Sequence, residues 1–193
     1  SEIGQQRFDV KQINELFQYS TDSSLKGYQQ RLLLELIYGL GMSLTKIVNI
    51  KSATPELDEG LVRLYFQNSR YRDYPFSQPA LNILKSYLKL IDSIEGHNTF
   101  WINKNAKALS TTQLQNLLNK YFEAHDLPAI NANELRDLSV QHFSQEGADI
   151  RSLQALRQFK QLRRLQSLNE PDFSHLQKSF KQKHLRNTVL KET

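Results

Sequence analysis

The sequence predicts a mainly α-helical fold with one small antiparallel β-sheet, an α+β class, and three observations predict it. Apolar residues recur at three- and four-residue steps through most of the chain. Asn131 with Glu134, and Ser110 with Gln113, each set a short polar side chain three residues ahead of a Glu or Gln, the signature of a capped helix start. Between Leu61 and Phe76 two β-rich runs flank a polar turn.

In chain order, Phe8, Val10, Ile13, Leu16 and Phe17 share one face of a helix beginning near Asp9. Ser20 to Gly27 is polar and turn-rich. Arg31 to Leu40 carries a nearly unbroken apolar run, a helix buried on most sides that Gly39 and Gly41 end. Ser43 to Val48 forms a further short helix, closed by a polar linker and Pro55. Leu61–Phe66 and Arg72–Phe76 are strands with Gln67–Tyr71 as the turn; Tyr71 and Tyr74 can pack across strands or touch a sugar-phosphate edge. A helix spans Gln78 to Ile94, and Phe100-Trp101-Ile102 lies in a short extended piece, with Trp101 a core residue or a partner contact. Ser110 opens a helix that ends near Asp126.

From Ile130 the chain reads as helix, glycine turn at Gly147, and a second short helix capped by Asp149 and carrying Ile150, Leu153 and Leu156. Arg136 sits early in the first of these, where free backbone amides and a guanidinium suit a phosphate. After Asn169-Glu170-Pro171, the residues Phe173, Leu176, Phe180, Leu185 and Val189 step along a terminal helix that docks on a neighbouring subunit or packs on its own domain.

The 193 residues suffice for one domain with a small appendage, divided as 1–168 and a basic helical tail 169–193. Ser1 in place of Met is what a fragment or processed chain would show. Cysteine is absent, which excludes disulfides, a thiolate nucleophile and Cys-type zinc sites; with no membrane span or signal peptide evident, the expectation is a cytoplasmic protein. The five histidines show no ligand spacing, so no metal or other cofactor is expected. The formal charge is +5, but residues 151–193 alone hold ten Lys and Arg against three acids, a net of +7 that suits nucleic acid or a solvated amphipathic helix.

The run Glu134-Leu135-Arg136, His142, Glu146-Gly147-Ala148-Asp149-Ile150-Arg151 and Leu153-Gln154 resembles the second conserved box of the tyrosine recombinase (phage integrase, Xer-like) catalytic domain. Tyr38-Gly39-Leu40-Gly41-Met42-Ser43-Leu44-Thr45-Lys46-Ile47 is similar to the first box, and the element order matches over roughly Phe8 to Leu168. The resemblance implies a helical body with a small three-stranded sheet, and a tyrosine hydroxyl that attacks a DNA phosphodiester with arginines, a lysine and histidines in support.

Matched position by position, Arg136 keeps the second-box arginine. Ser43 takes the place of the first-box arginine, Gln67 that of the hairpin lysine, Asn133 and Phe159 those of two histidines, and Leu168 that of the nucleophile. The last tyrosine is Tyr121, ahead of the second box. The resemblance therefore implies a scaffold without strand cleavage that grips duplex DNA through Arg136, Arg70, Arg72, Lys104, Lys107 and Lys160, an architectural, regulatory or accessory factor of the kind carried by mobile elements. For Arg136 an ion pair with Glu134 or Asp137 is the alternative, and for the others ordinary loop charges. The alternative for the whole protein is an interaction module, without DNA binding of its own, that docks on an active recombinase or another DNA-processing complex.

Overall fold

The computed structural model describes residues 8–19, 21–55 and 60–145. The second short helix from Asp149, the tail helix 169–193, Lys160, Phe159 and Leu168 lie outside the described residues.

Helix α1 (Val10–Gln18) starts at Asp9, whose carboxylate accepts from Gln12 N at 2.7 Å while the Gln12 side chain accepts from Asp9 N. Its apolar face, Ile13, Leu16 and Phe17, is buried beside Phe8, which meets Phe122 edge-on at 5.6 Å. Helix α2 (Leu25–Leu34) begins earlier than the apolar run suggests, because Ser24 caps it through Gly27 N. Gly27 thus stands inside the helix, not in a turn. A side chain there would collide with the Asp22 carbonyl, its Cβ falling 2.7 Å from Asp22 Cβ.

The helix continues into a π-helical turn, Glu35–Gly39, fully buried, closed by Leu40 N donating to Glu35 O and Met42 N to Leu36 O. Gly41, at φ +64°, then turns the chain toward α3 (Leu44–Val48), capped by Ser43. The polar stretch that follows is not a linker but strand β1 (Ile50–Pro55), an edge strand whose exposed outer residues gave it too little hydrophobic alternation to be recognised. It pairs antiparallel with β2 (Leu61–Phe66), and β2 with β3 (Tyr71–Pro75), in sheet order β1-β2-β3. Val62, Leu64, Phe66 and Tyr74 face the core; Arg63, Tyr65, Tyr71 and Asp73 lie on the other side.

Helix α4 (Gln78–Asp92), capped by Ser77, packs Leu81, Leu84, Tyr87 and Ile91 inward, against α2. Phe100 and Trp101 are buried in an aromatic cluster with Tyr87, and Trp101 Nε1 donates to Ile47 O at 2.8 Å, which makes Trp101 a core residue. Helix α5 (Thr111–Glu123) carries the expected capping box of Ser110 and Gln113 and ends before Asp126 at φ +57°. Helix α6 (Ala132–Gln145) packs on the π-helical turn. No helix of the described residues is long and apolar enough to cross a membrane.

One buried cation ties three of these elements together. The Arg31 guanidinium, 3% exposed, donates to Leu16 O at 2.8 Å and to Phe17 O, lies 3.6 Å from Glu35 Oε1, and reaches Tyr121 OH at 3.4 Å. It therefore satisfies carbonyls at the end of α1 that the helix itself leaves open. Burial pulls its pKa down, while Tyr121 beside it opposes the shift.

Two stability outcomes follow from this packing. Arg31→Met removes the buried cation beside Glu35 and the guanidinium donors to Leu16 O and Phe17 O, and should lower the unfolding free energy in urea by about 3–5 kcal/mol; a loss below about 1 kcal/mol would contradict the assignment. Gly27→Ala should also destabilise, by about 1–2 kcal/mol, because a backbone collision outweighs the roughly 1 kcal/mol helix preference of alanine. An unchanged or raised urea midpoint would show that the Asp22 turn can yield.

Candidate nucleic-acid interface

The first turn of α6 is built as its sequence dictates. Asn131 Oδ1 accepts from Glu134 N at 2.9 Å and Glu134 Oε2 accepts from Asn131 N at 3.3 Å, so Glu134 turns back to its own cap. Gln115 of α5 holds the entry, accepting from Ala132 N at 3.0 Å and donating to Ile130 O at 2.8 Å. On the opposite side, His142, fully buried, shares a 2.8 Å hydrogen bond with Tyr38 in the π-helical turn. Leu135 and Leu138 pack in the core between these anchors. Arg136 is thereby fixed on a helix that cannot roll. It is half-buried, and its Nε is shielded from water with no hydrogen-bond partner among the described residues. The remaining N–H groups of this half-buried guanidinium are of the kind that pair with an oxyanion.

The other matched positions carry different chemistry. Ser43 spends its hydroxyl as the α3 cap, accepting from Lys46 N. Gln67 donates its backbone N–H to Asn49 O at 2.9 Å, and its side chain reaches Thr99 Oγ1 at 3.5 Å, which joins the β2–β3 turn to the end of α3 and to the segment before Trp101. Asn133 is exposed in the first turn of α6. The fold links Ser43 and Arg136, because the π-helical turn that packs on α6 runs into the Leu40–Met42 bend that leads to Ser43.

The remaining basic residues divide. Arg70 is exposed at the hairpin tip, where Ser69 takes φ +59° and Phe66 N closes the turn onto Arg70 O at 2.8 Å. Arg72 faces the other way. It lies opposite Leu64 on the core side of the sheet, beside the Tyr74 hydroxyl, whose pKa burial pushes up to about 12 against the opposing pull of Arg72. The alternation of β3 separates Tyr71 from Tyr74 for the same reason, so the two tyrosines do not form one surface. Lys104 and Lys107 are exposed on a compact turn in which Asn103 Oδ1 accepts from Asn105 N and Lys107 N.

Two groups escaped the reading of the sequence. Lys46 lies over the rings of Phe66 and Tyr74, at 5.7 and 5.2 Å, a cation one turn beyond Ser43. Arg63 pairs with Asp73 through two bonds of 2.7 and 2.9 Å across β2 and β3. Strand parity, had the register been known, would have found the second; the first depends on how α3 crosses the sheet. Among the described residues no group of three or more His, Asp or Glu side chains could hold a metal ion.

Comparison with known proteins agrees with this architecture. Residues 6–175 match the sequence profile of the phage integrase family. Tyrosine recombinase XerC of Staphylococcus carnosus is 27% identical over 152 residues, covering 77% of this chain and 51% of its own, and tyrosine recombinase XerD of Staphylococcus saprophyticus is 24% identical over 186 residues, covering 92% and 63%. The chain thus spans between about half and two thirds of the length of these relatives. The crystal structure of XerA recombinase superposes with a TM-score of 0.63 at 14% identity, over 81% of this chain and 55% of that one. XerH site-specific recombinase, bound to its difH substrate in a pre-cleavage complex, superposes with a TM-score of 0.61 at 16% identity, over 79% and 46%. With the profile matched along most of its length, the chain belongs to the phage integrase family and carries a tyrosine recombinase-like domain.

Proposed function

We propose that this chain is a DNA-binding member of its family that does not cleave strands, an architectural, regulatory or accessory factor on duplex DNA in the bacterial cytoplasm. The observation that carries the reading is the side-chain set at the matched positions. Ser43, Gln67 and Asn133 offer a hydroxyl and two amides where the family resemblance calls for cations, and the Ser43 hydroxyl is already committed to its helix cap. Each donor missing from such a site costs on the order of a hundredfold or more in rate. Leu168 stands at the matched nucleophile position, and an alkyl side chain cannot form a phosphoester.

Duplex binding asks less of the site than cleavage does. Phosphate contacts position a protein on DNA through charge and backbone amides. Arg136 on its capped helix, the exposed Arg70, Lys104 and Lys107, and the net +7 of residues 151–193, Lys160 among them, supply charge of the right sign. That one structural neighbour is described as bound to its difH substrate favours DNA as the ligand. The tail 169–193 offers a route to a second copy or to a recombinase partner.

In band-shift titrations of duplex DNA, affinity should fall steeply as salt rises. Arg136→Ala should weaken binding about equally on all sequences and reduce the log–log salt slope by about 1. Absence of duplex affinity even at low salt would favour the protein-docking reading. A suicide substrate, nicked so that cleavage traps the covalent intermediate, should yield no protein–DNA adduct on a denaturing gel; an adduct would overturn the non-cleaving reading.

A further inference from the structure

The side of the sheet that faces away from the core has a composition that duplex contacts do not explain. Tyr65 of β2 lies directly opposite Tyr71 of β3, their ring centroids 5.9 Å apart. The Arg63 guanidinium sits 4.3 Å from the centre of the Tyr71 ring and is pinned there by its two bonds to Asp73. Asp73 holds the Arg63 pKa above its ordinary value, so the cation on the ring is permanent. Tyr71 is nonetheless 52% exposed. On β1, Ser52 and Thr54 pair with Tyr65 and Arg63 and are exposed, as are Lys51 at the bulge and Arg70 next to Tyr71.

We propose that this outer face binds single-stranded nucleic acid, with an unpaired base stacking on Tyr71 and the neighbouring phosphates taken by Arg70 and Lys51. Three physical points carry it. The ring is oriented in advance, since Arg63 and Asp73 hold one another and the ring lies against them, so little side-chain entropy is lost on stacking. Arg63 on this face is paired with Asp73, and the exposed cations Arg70, next to Tyr71 in the chain, and Lys51, at the β1 bulge, add charge that suits a polyanion. A ring exposed on a sheet face can stack only with a base that is itself out of a duplex stack, as in the platforms of single-strand binders. The inference shares with the proposed function the premise of a nucleic-acid ligand and the exposed Arg70, while Tyr71 belongs to no duplex contact assigned above.

Fluorescence anisotropy of the full chain with a labelled thymidine oligonucleotide and, separately, with a duplex of mixed sequence tests it. Wild type should bind the single strand; Tyr71→Ala should weaken that binding about tenfold and leave the duplex affinity unchanged, while Tyr71→Phe, which keeps the ring, should stay near wild type. Single-strand binding without duplex binding would remove the duplex reading and keep this one; the reverse would remove this one alone. Equal weakening on both ligands by Tyr71→Ala would also overturn the stacking assignment. So would an unchanged single-strand affinity, and if Tyr71→Ala then also lowered the sedimentation coefficient, the face would be a protein contact.

Discussion

The arrangement depends on a charge that the core has taken in. Arg31 places a guanidinium where an apolar side chain would take a donor from Leu16 O and from Phe17 O at the end of α1, and it does so from α2 while meeting Tyr121 of α5. Tyr121 also donates to Leu16 O at 2.8 Å, so two side chains from different helices converge on one carbonyl. The cost of burying an ion is offset because every contact is directional and the partners come from separated parts of the chain. Such a constraint sets the rotation of α2 about its axis, which hydrophobic packing alone leaves loose.

That rotation matters because Glu35, the carboxylate beside Arg31, opens the π-helical turn. A π turn fits an extra residue into the helix and shifts the face that follows it. Tyr38 comes out of this shift directed at His142, and α6 is thereby anchored to the turn. Arg136, two turns back along α6, therefore takes its position from a chain of contacts that starts at Arg31. The helix that carries Arg136 is thus positioned by contacts at both its ends.

Much of this was legible in the sequence, and what was not has identifiable causes. The caps at Asp9, Ser110 and Asn131, the hairpin, and the order of helices could be read because they are local: a polar residue three ahead of its partner, or alternation over a few residues. Strand β1 was missed because an edge strand with Lys51, Ser52 and Thr54 exposed has the composition of a loop until its partner is known. The start of α2 was displaced because Gly27 reads as a turn residue, whereas here it marks a close approach of Asp22. Arg136 was singled out from its motif, and the structure places it on the capped helix that the motif predicts. Arg72 was placed on the same surface as Arg70 by proximity in sequence, and only the register that sets it opposite Leu64 separates the two. Arg31 and Lys46 carried no local signal, since both act across elements distant in the chain.

The positions matched to the family's boxes are also tied into the frame of the fold. Ser43 and Gln67 are not inert replacements: the hydroxyl caps α3, and Gln67 joins the β2–β3 turn to Asn49 and Thr99. Each is linked through α3 to Trp101, whose indole donates to Ile47. An arginine at 43 would need another group to cap the five-residue helix, and a lysine at 67 would exchange the short amide contact for a mobile ammonium. Groups held for catalysis are seldom those that best satisfy their neighbours, and the contacts of Ser43 and Gln67 are of the kind that stabilise a frame. The helices of the described residues are held through Arg31, Tyr38 and His142, and those contacts are separate from the ones that Ser43 and Gln67 make.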